Sequence, residues 1–296
     1  MDIESFLPML ISVTELTCIY SLVVLGLIFS FRMVGFADLT IESSFTTGAA
    51  ISAIMLTSSF SPCTTIIAAT FAGAMAGVLT SLLHIKGKVS RLLSGIIVMT
   101  ILYSVNLQIM GKSNIQLASI PTLFDYITPN MRMPFLLFSV LALFLIVFAF
   151  LKTRLGYLLR ASGENPHLLG KLGYNLDIFI ACALMVANAL TAMSGALASH
   201  YLGYADIGMG TGLIVASLAA LILGETICTP KSIFRLVCAA LIGSFLYRLA
   251  FEVGLRMHIH PWNLKIAVGV LLAASLIGKR LLSKHYRQLP VGVDSL

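Results

Sequence analysis

The sequence predicts an all-α integral membrane protein, and its length and composition carry that prediction. Apolar residues make up 58% of the 296 residues, and charged residues only 10%. A soluble domain has about 45–50% apolar and about 25% charged residues, so this composition is that of a chain surrounded by lipid. At about 20 residues per transmembrane helix, the length allows eight to ten helices and little else. We therefore expect a single transmembrane domain over 1–296.

The apolar runs, taken in order, predict about nine transmembrane helices, some of them broken. Loops rich in polar residues, glycine and proline separate the runs. The count stays open between eight and ten, because a re-entrant segment is the alternative at 38–56 and at 208–225. The predicted helices cover about 9–31, 38–56, 64–83, 92–109, 135–151, 178–200, 208–225, 236–251 and 264–277.

The basic residues predict the orientation of these helices. Lys and Arg are concentrated on the cytoplasmic side of membrane proteins. If the N-terminus is outside and the C-terminus is cytoplasmic, most of the 19 Lys and Arg residues fall inside. The exceptions are Lys112, Arg132, Arg248, Arg256 and Lys265. The net charge of +7 therefore indicates membrane topology and contact with lipid head groups, and not binding to nucleic acid.

The segment 38–56 opens on an unusual density of polar side chains. Such groups are costly against lipid, so the segment is predicted to be an interior or broken helix that lines a polar path. Asn106, near the far end of the fourth helix, is expected to approach it. The alternative for Asp38 and for Asp206 is capping of a helix end. The six predicted path residues are Asp38, Glu42, Ser43, Ser44, Thr46 and Asn106.

The polar, basic connection at 152–175 predicts a short helix on the cytoplasmic side. Pro166 suits the first position of a helix, after a turn signal at 163–166. We expect the helix over 166–172, with Asn165 as its N-cap and Gly173 ending it. A short helix is marginal in water, so this one needs a partner surface.

This connection carries a family resemblance. Arg160-Ala161-x-Gly163-x-Asn165-Pro166, followed by Gly173-Tyr174-Asn175, resembles the coupling loop of ABC importer permeases. The resembling family is that of branched-chain amino acid, ribose and autoinducer permeases, in a branch associated with binding proteins for aromatic amino acids or similar solutes. Further segments resemble the same family, namely 35–40, 44–49, 110–114, 203–210 and 223–225.

The resemblance implies a transport subunit of the bacterial cytoplasmic membrane. Two copies would form the translocation path as a homodimer, an extracytoplasmic solute-binding protein would dock outside, and an ABC ATPase subunit would dock on the short helix. Leu168 or Leu169 is expected to enter a groove of the ATPase, with Arg160 and Lys171 at its rim. The predicted coupling residues are Arg160, Gly163, Glu164, Asn165, Pro166, Leu168, Leu169, Lys171 and Gly173.

No motif in the sequence predicts chemistry in this chain itself. It lacks the phosphate-loop pattern G-x-x-x-x-G-K-[ST] and the metalloprotease pattern H-E-x-x-H. We therefore expect no catalytic residue, no metal site and no cofactor, with ATP bound and hydrolysed by a separate subunit. His258 and His260 are expected to be solvated loop residues and not metal ligands.

A secondary, ion-coupled transporter of small solutes is the alternative function. The stretch Gly35–Leu39 recurs weakly as Gly203–Ile207, and transporters often contain repeats with glycine-interrupted segments. Carboxyl groups near those segments would then carry the coupling ion. That alternative leaves the short helix after Asn165 without a role.

Overall fold

Ten α-helices account for most of the described residues of the computed structural model, which are 3–229, 232–257, 266 and 269–270. A π-helical turn at Ile28–Met33 continues α1, and a 3₁₀ turn lies at Leu123–Tyr126. Two short strands, β1 (Asn114–Gln116) and β2 (Tyr204–Asp206), pair antiparallel. The helices are α1 (Ile3–Leu27), α2 (Thr40–Thr57), α3 (Pro62–Ile85), α4 (Arg91–Met110), α5 (Pro129–Leu151), α6 (Arg154–Glu164), α7 (Pro166–Lys171), α8 (Leu176–Leu202), α9 (Leu213–Ile227) and α10 (Ile233–Arg256).

Six segments within the described residues are long and apolar enough to cross a membrane. They are Leu7–Met33 and the helices α3, α4, α5, α8 and α10. Helix α9 is apolar but shorter, with 15 residues, and α2 carries the polar start that the sequence analysis singled out. The all-α membrane class is confirmed. The count of nine stays a prediction, since most of 264–277 lies outside the described residues.

Several helix boundaries differ from the prediction, and one helix was not predicted. Helix α5 begins at Pro129, six residues early, because Pro129 takes the first helical position and Pro134 is accommodated inside the helix. Helix α10 continues to Arg256, where a connection was expected from 252. The stretch 154–164, predicted as loop, forms α6, because the Thr153 hydroxyl accepts the Gly156 N–H at 3.4 Å and caps it.

Helix α8 lies at the centre of the fold, packed against α1, α2 and α3, and α2 and α3 also contact each other. Glycines let the backbones touch. A Cβ on Gly48 would overlap Ala192, a Cβ on Gly195 would overlap the Phe45 carbonyl, and a Cβ on Gly77 would overlap Leu184. On α3, Gly73 and Gly77 are four residues apart and both permit close contact with α8.

We expect Gly195→Leu to destabilise the protein, because its side chain has no space between α8 and the Phe45 carbonyl. Overpacking typically costs about 1–3 kcal/mol, and backbone overlap places this site at the upper end. Gly170→Ala is the matched control, because a Cβ there meets nothing within 4 Å. Thermal melting of the purified, detergent-solubilised protein measures both variants. Equal melting temperatures for Gly195→Leu and wild type would contradict the packing described.

Candidate functional site

The polar start of α2 is buried inside the protein. Thr40 and Ser44 have no exposed surface, and Ser43 and Thr46 are buried too. The Ser43 hydroxyl donates to the Met99 carbonyl at 2.8 Å, across the contact with α4. Helices α3, α4 and α8 pack around α2, so its polar groups face protein and not lipid, as the sequence indicated.

Asn106 reaches this segment from α4, as expected. Its side-chain amide donates to the Ser43 carbonyl at 3.2 Å, and the residue is fully buried. Its amide oxygen has no hydrogen-bond partner among the described residues. A buried polar atom of this kind is costly unless something satisfies it.

Asp38 anchors the beginning of α2 to α8. Its Oδ1 accepts the Thr40 N–H at 3.0 Å, which satisfies a backbone donor at the helix start. Its Oδ2 accepts from the Asn188 side chain of α8 at 2.6 Å, and the Ser44 hydroxyl donates to the Asn188 Oδ1 at 2.7 Å. Asp38 therefore has the capping role that the sequence analysis weighed, together with a second contact between helices.

Asp206 has a similar local geometry without capping a helix. Its Oδ1 accepts the Gly208 N–H at 2.8 Å, and its Oδ2 accepts from the Asn114 side chain at 3.2 Å. It ends β2, and α9 begins only at Leu213, so the alternative of a helix cap does not apply to Asp206. In both Gly35–Leu39 and Gly203–Ile207, however, the glycine has a positive φ and the aspartate accepts an N–H two residues later.

Two further carboxyl groups, those of Glu42 and Glu225, lie at the two ends of α9. Glu42 Oε1 accepts the Gly212 N–H at 3.0 Å, immediately before that helix begins. At the other end, Glu225 forms an ion pair with Arg32, with 3.2 Å between its Oε1 and the arginine Nε. Glu225 is only 5% exposed. The pair therefore ties the π-helical turn after α1 to the end of α9.

Two cavities lie elsewhere in the fold. One of about 440 Å³ lies between α1, α9 and α10, and one of about 790 Å³ lies between the α2–α3 turn and residues 119–126. None of the six predicted path residues lines either cavity. Their direct contact with a solute stays a prediction, whereas their contacts with neighbouring helices are visible.

The predicted short helix is present as α7. It begins at Pro166 and ends at Lys171, one residue before the expected end. Gly173 follows with φ of +79°, and the Tyr174 N–H donates to the Leu169 carbonyl at 3.1 Å, which closes the turn. Arg160 Nη2 lies 3.7 Å from Glu164 Oε1, so this pair is held within α6.

The placement of the leucines corrects one expectation. Leu169 is 1% exposed and packs inside this chain, so it is not available to enter a groove of another subunit. Leu172 is 62% exposed. Of the two leucines expected at the ATPase, Leu169 is thus buried in this chain, and the side chain of Leu168 lies outside what the structure describes.

Gly163 is the residue at which α6 touches the membrane helices. A Cβ there would overlap the Met33 carbonyl, at the end of the π-helical turn. The sequence placed Gly163 in a turn before Pro166. In the structure it belongs to α6, and its missing side chain permits close contact with a segment far away in sequence.

His200 was not among the predicted site residues. It connects α8 to α2, α3 and the 3₁₀ turn. It is 2% exposed at the end of α8. Its Nδ1 accepts the Leu123 N–H at 3.1 Å, so Nε2 carries the proton of the neutral ring. Nε2 lies 2.9 Å from the Ser52 hydroxyl and 3.1 Å from the Thr65 hydroxyl. A lone histidine in an apolar run gives no sequence signal for such a junction.

We expect Asn188→Ala to destabilise the protein, because it leaves Asp38 and Ser44 buried without their shared partner. Each unsatisfied buried polar group costs about 1–3 kcal/mol. Ser139→Ala is the control, since that exposed hydroxyl bonds only within its own helix. Thermal melting in detergent measures the difference. Similar melting temperatures for the two variants would show that the Asp38–Asn188 contact contributes little.

Comparison with known proteins agrees with this architecture. Residues 9–276 match the family described as branched-chain amino acid transport system, permease component. The chain is 37% identical over 269 residues to a tyrosine transport system permease protein of Clostridioides difficile, covering 90% of each chain. It is 33% identical over 272 residues to an uncharacterized protein of Rickettsia prowazekii, covering 90% of this chain and 96% of that protein. No solved structure matches. The chain therefore belongs to the branched-chain amino acid permease family, and it is the membrane-spanning permease component of an ABC transport system.

Proposed function

We propose that this permease moves an aromatic amino acid across the cytoplasmic membrane of a bacterium, in the direction of import. The observation that carries the substrate class is the 37% identity, over 90% of both chains, to a protein named for tyrosine transport. Membership of the permease family disfavours the ion-coupled alternative. A binding protein would deliver the amino acid, and two copies of the chain would enclose the path.

In this proposal the N-terminus lies outside and the C-terminus lies in the cytoplasm. Helices α6 and α7 are then cytoplasmic, together with Arg32 and the Arg235 end of α10. The β1–β2 pair, the 3₁₀ turn and the cavity of about 790 Å³ lie outside. Exposed aromatic side chains at that cavity, Phe60 and Tyr126, give the binding protein an apolar surface to contact.

The ATPase subunit would dock on α7. Leu172 offers an exposed apolar side chain next to the exposed cation of Lys171. Exposed apolar groups with a polar rim are typical of contacts between proteins. Asn165 and Pro166 define where α7 begins, Gly173 defines where it ends, and Gly163 fixes α6 against Met33.

These contacts also provide a route for coupling. Movement of α7 would carry α6 with it, and Gly163 would transmit that movement to the π-helical turn at Met33. Arg32, in the same turn, would pass it to α9 through the ion pair with Glu225. Helix α9 lines the cavity of about 440 Å³, so ATP-driven closure of the ATPase would change the shape of that cavity.

We expect Leu172→Asp to uncouple the importer, because it places a carboxylate in an apolar contact with the ATPase. Loss of a central contact typically costs about 2 kcal/mol or more, or roughly thirtyfold in affinity. Leu172→Met is the matched control, because it keeps an apolar side chain of similar size.

Two measurements test this. Copurification of the ATPase with the tagged permease reports docking, and ATP-dependent uptake in proteoliposomes reports coupling. Both should fall for Leu172→Asp and stay near wild type for Leu172→Met. Unchanged copurification and uptake for Leu172→Asp would mean that α7 is only a connector between α6 and α8.

A further inference from the structure

The cavity between α1, α9 and α10 is lined by regularly spaced side chains of each helix. Tyr20 and Val24 of α1 are four residues apart. On α9, Leu213, Ser217 and Ala220 share one face, as do Ser244, Arg248 and Phe251 on α10. The volume, about 440 Å³, falls within the range of about 300–1,000 Å³ that is usual for sites binding small molecules.

Arg248 is the one charged side chain in this lining. It lies about 12 Å along the axis from the end of α10, given a rise of about 1.5 Å per residue. Its guanidinium carbon lies 3.6 Å from the centre of the Tyr20 ring. No carboxylate in the described part of the chain forms an ion pair with Arg248, and the nearby Glu252 pairs with Arg256 instead.

An arginine in a membrane-spanning helix is costly unless it serves a partner or a function. Stacking on Tyr20 provides a cation–π contact but leaves the hydrogen-bonding edge of the guanidinium without a carboxylate. Arginine donates in a fixed fork that matches the two oxygens of a carboxylate. The guanidinium of Arg248 thus lacks the carboxylate partner that its geometry suits.

Two hydroxyl-bearing side chains belong to the same lining, those of Ser217 and Tyr247. Close contacts of Gly224 with Ala239 and of Gly243 with Ala220 fix the register of α9 against α10. One turn further along each helix, Ser217 comes level with Tyr247, next to Arg248. Ser217, Tyr247 and Arg248 therefore lie at one level of the cavity, whereas the hydroxyl groups of Thr211 and Ser244 in the same lining donate to backbone carbonyls.

We propose that this cavity binds the transported amino acid, with its carboxylate on Arg248 and its side chain against the apolar lining from α1 and α9. Tyr247 and Ser217 then hydrogen-bond the polar groups of the amino acid. The assignment rests on the proposed function, because it takes an amino acid to be the solute. It assigns a binding role to residues outside the predicted polar start of α2.

The test is a binding titration with the permease–ATPase complex in nanodiscs, without the binding protein. Saturation-transfer NMR detects weak binding of L-tyrosine and of tyramine, which lacks the carboxylate. We expect wild type to bind L-tyrosine at least about tenfold more tightly than tyramine, as hydrogen bonds to a charged group imply. Because this comparison changes the ligand, it does not depend on a variant folding.

The matched variants are Arg248→Gln, Arg248→Lys and Arg256→Gln. Arg248→Gln should bind the two compounds equally, and Arg248→Lys should keep part of the preference. Arg256→Gln should behave as wild type, since Arg256 lies on the same helix but outside the lining. Ser217→Ala should weaken L-tyrosine binding by a smaller factor.

Two outcomes of the binding titration would overturn the proposal. One is unchanged binding of L-tyrosine to Arg248→Gln, which is expected if Arg248 serves a lipid phosphate or a second copy of the chain. The other is equal binding of L-tyrosine and tyramine to wild type.

L-leucine titrated in parallel separates this proposal from the proposed function. If leucine binds in an Arg248-dependent manner while uptake of tyrosine fails, the assignment of an aromatic substrate is wrong. The assignment of Arg248 as the carboxylate-binding residue then stands. If tyrosine is taken up without any dependence on Arg248, the proposed function stands and the site is wrong.

Discussion

The close contact of α8 with α2 and α3 is the constraint on which the other features depend. In lipid, burial of apolar surface does not drive helices together, so packing and hydrogen bonds must do so. Gly48, Gly77 and Gly195 allow the backbones to touch, and Asn188 then reaches Asp38 and Ser44. This contact holds the start of α2 inside the protein, and Glu42 of α2 in turn holds the backbone at Gly212, where α9 begins.

The sequence predicted those features that depend on local composition and spacing. The apolar runs predicted helices, the polar density after Asp38 predicted an interior segment, and Pro166 and Gly173 bounded a short helix. It could not predict features that depend on distant partners. Gly163 was interpreted as a turn residue because its neighbour, the Met33 carbonyl, is far away in the chain. Arg248 was counted only as an outside charge, because neither the cavity nor Tyr20 is visible from α10 alone.

The structure separates two roles that the sequence analysis combined in α2. The polar residues of that helix hydrogen-bond to α4 and α8 and line neither cavity. Arg248, which forms no ion pair with a carboxylate of the described residues, faces a cavity that α2 does not line. We infer a division in which α2 holds the helices together, whereas α1, α9 and α10 contact the solute. The Arg32–Glu225 pair then connects α9, which lines the solute cavity, to the π-helical turn. That turn contacts α6 at Gly163, and α7 follows α6.

Uptake of labelled L-tyrosine into proteoliposomes tests the central claim most directly. The vesicles contain the permease, its ATPase and the binding protein, and either ATP or a proton gradient is supplied as the only source of energy. An ABC permease for aromatic amino acids predicts uptake with ATP, inhibition by excess unlabelled phenylalanine, and no uptake with the gradient alone. Uptake driven by the proton gradient without ATP would contradict the account.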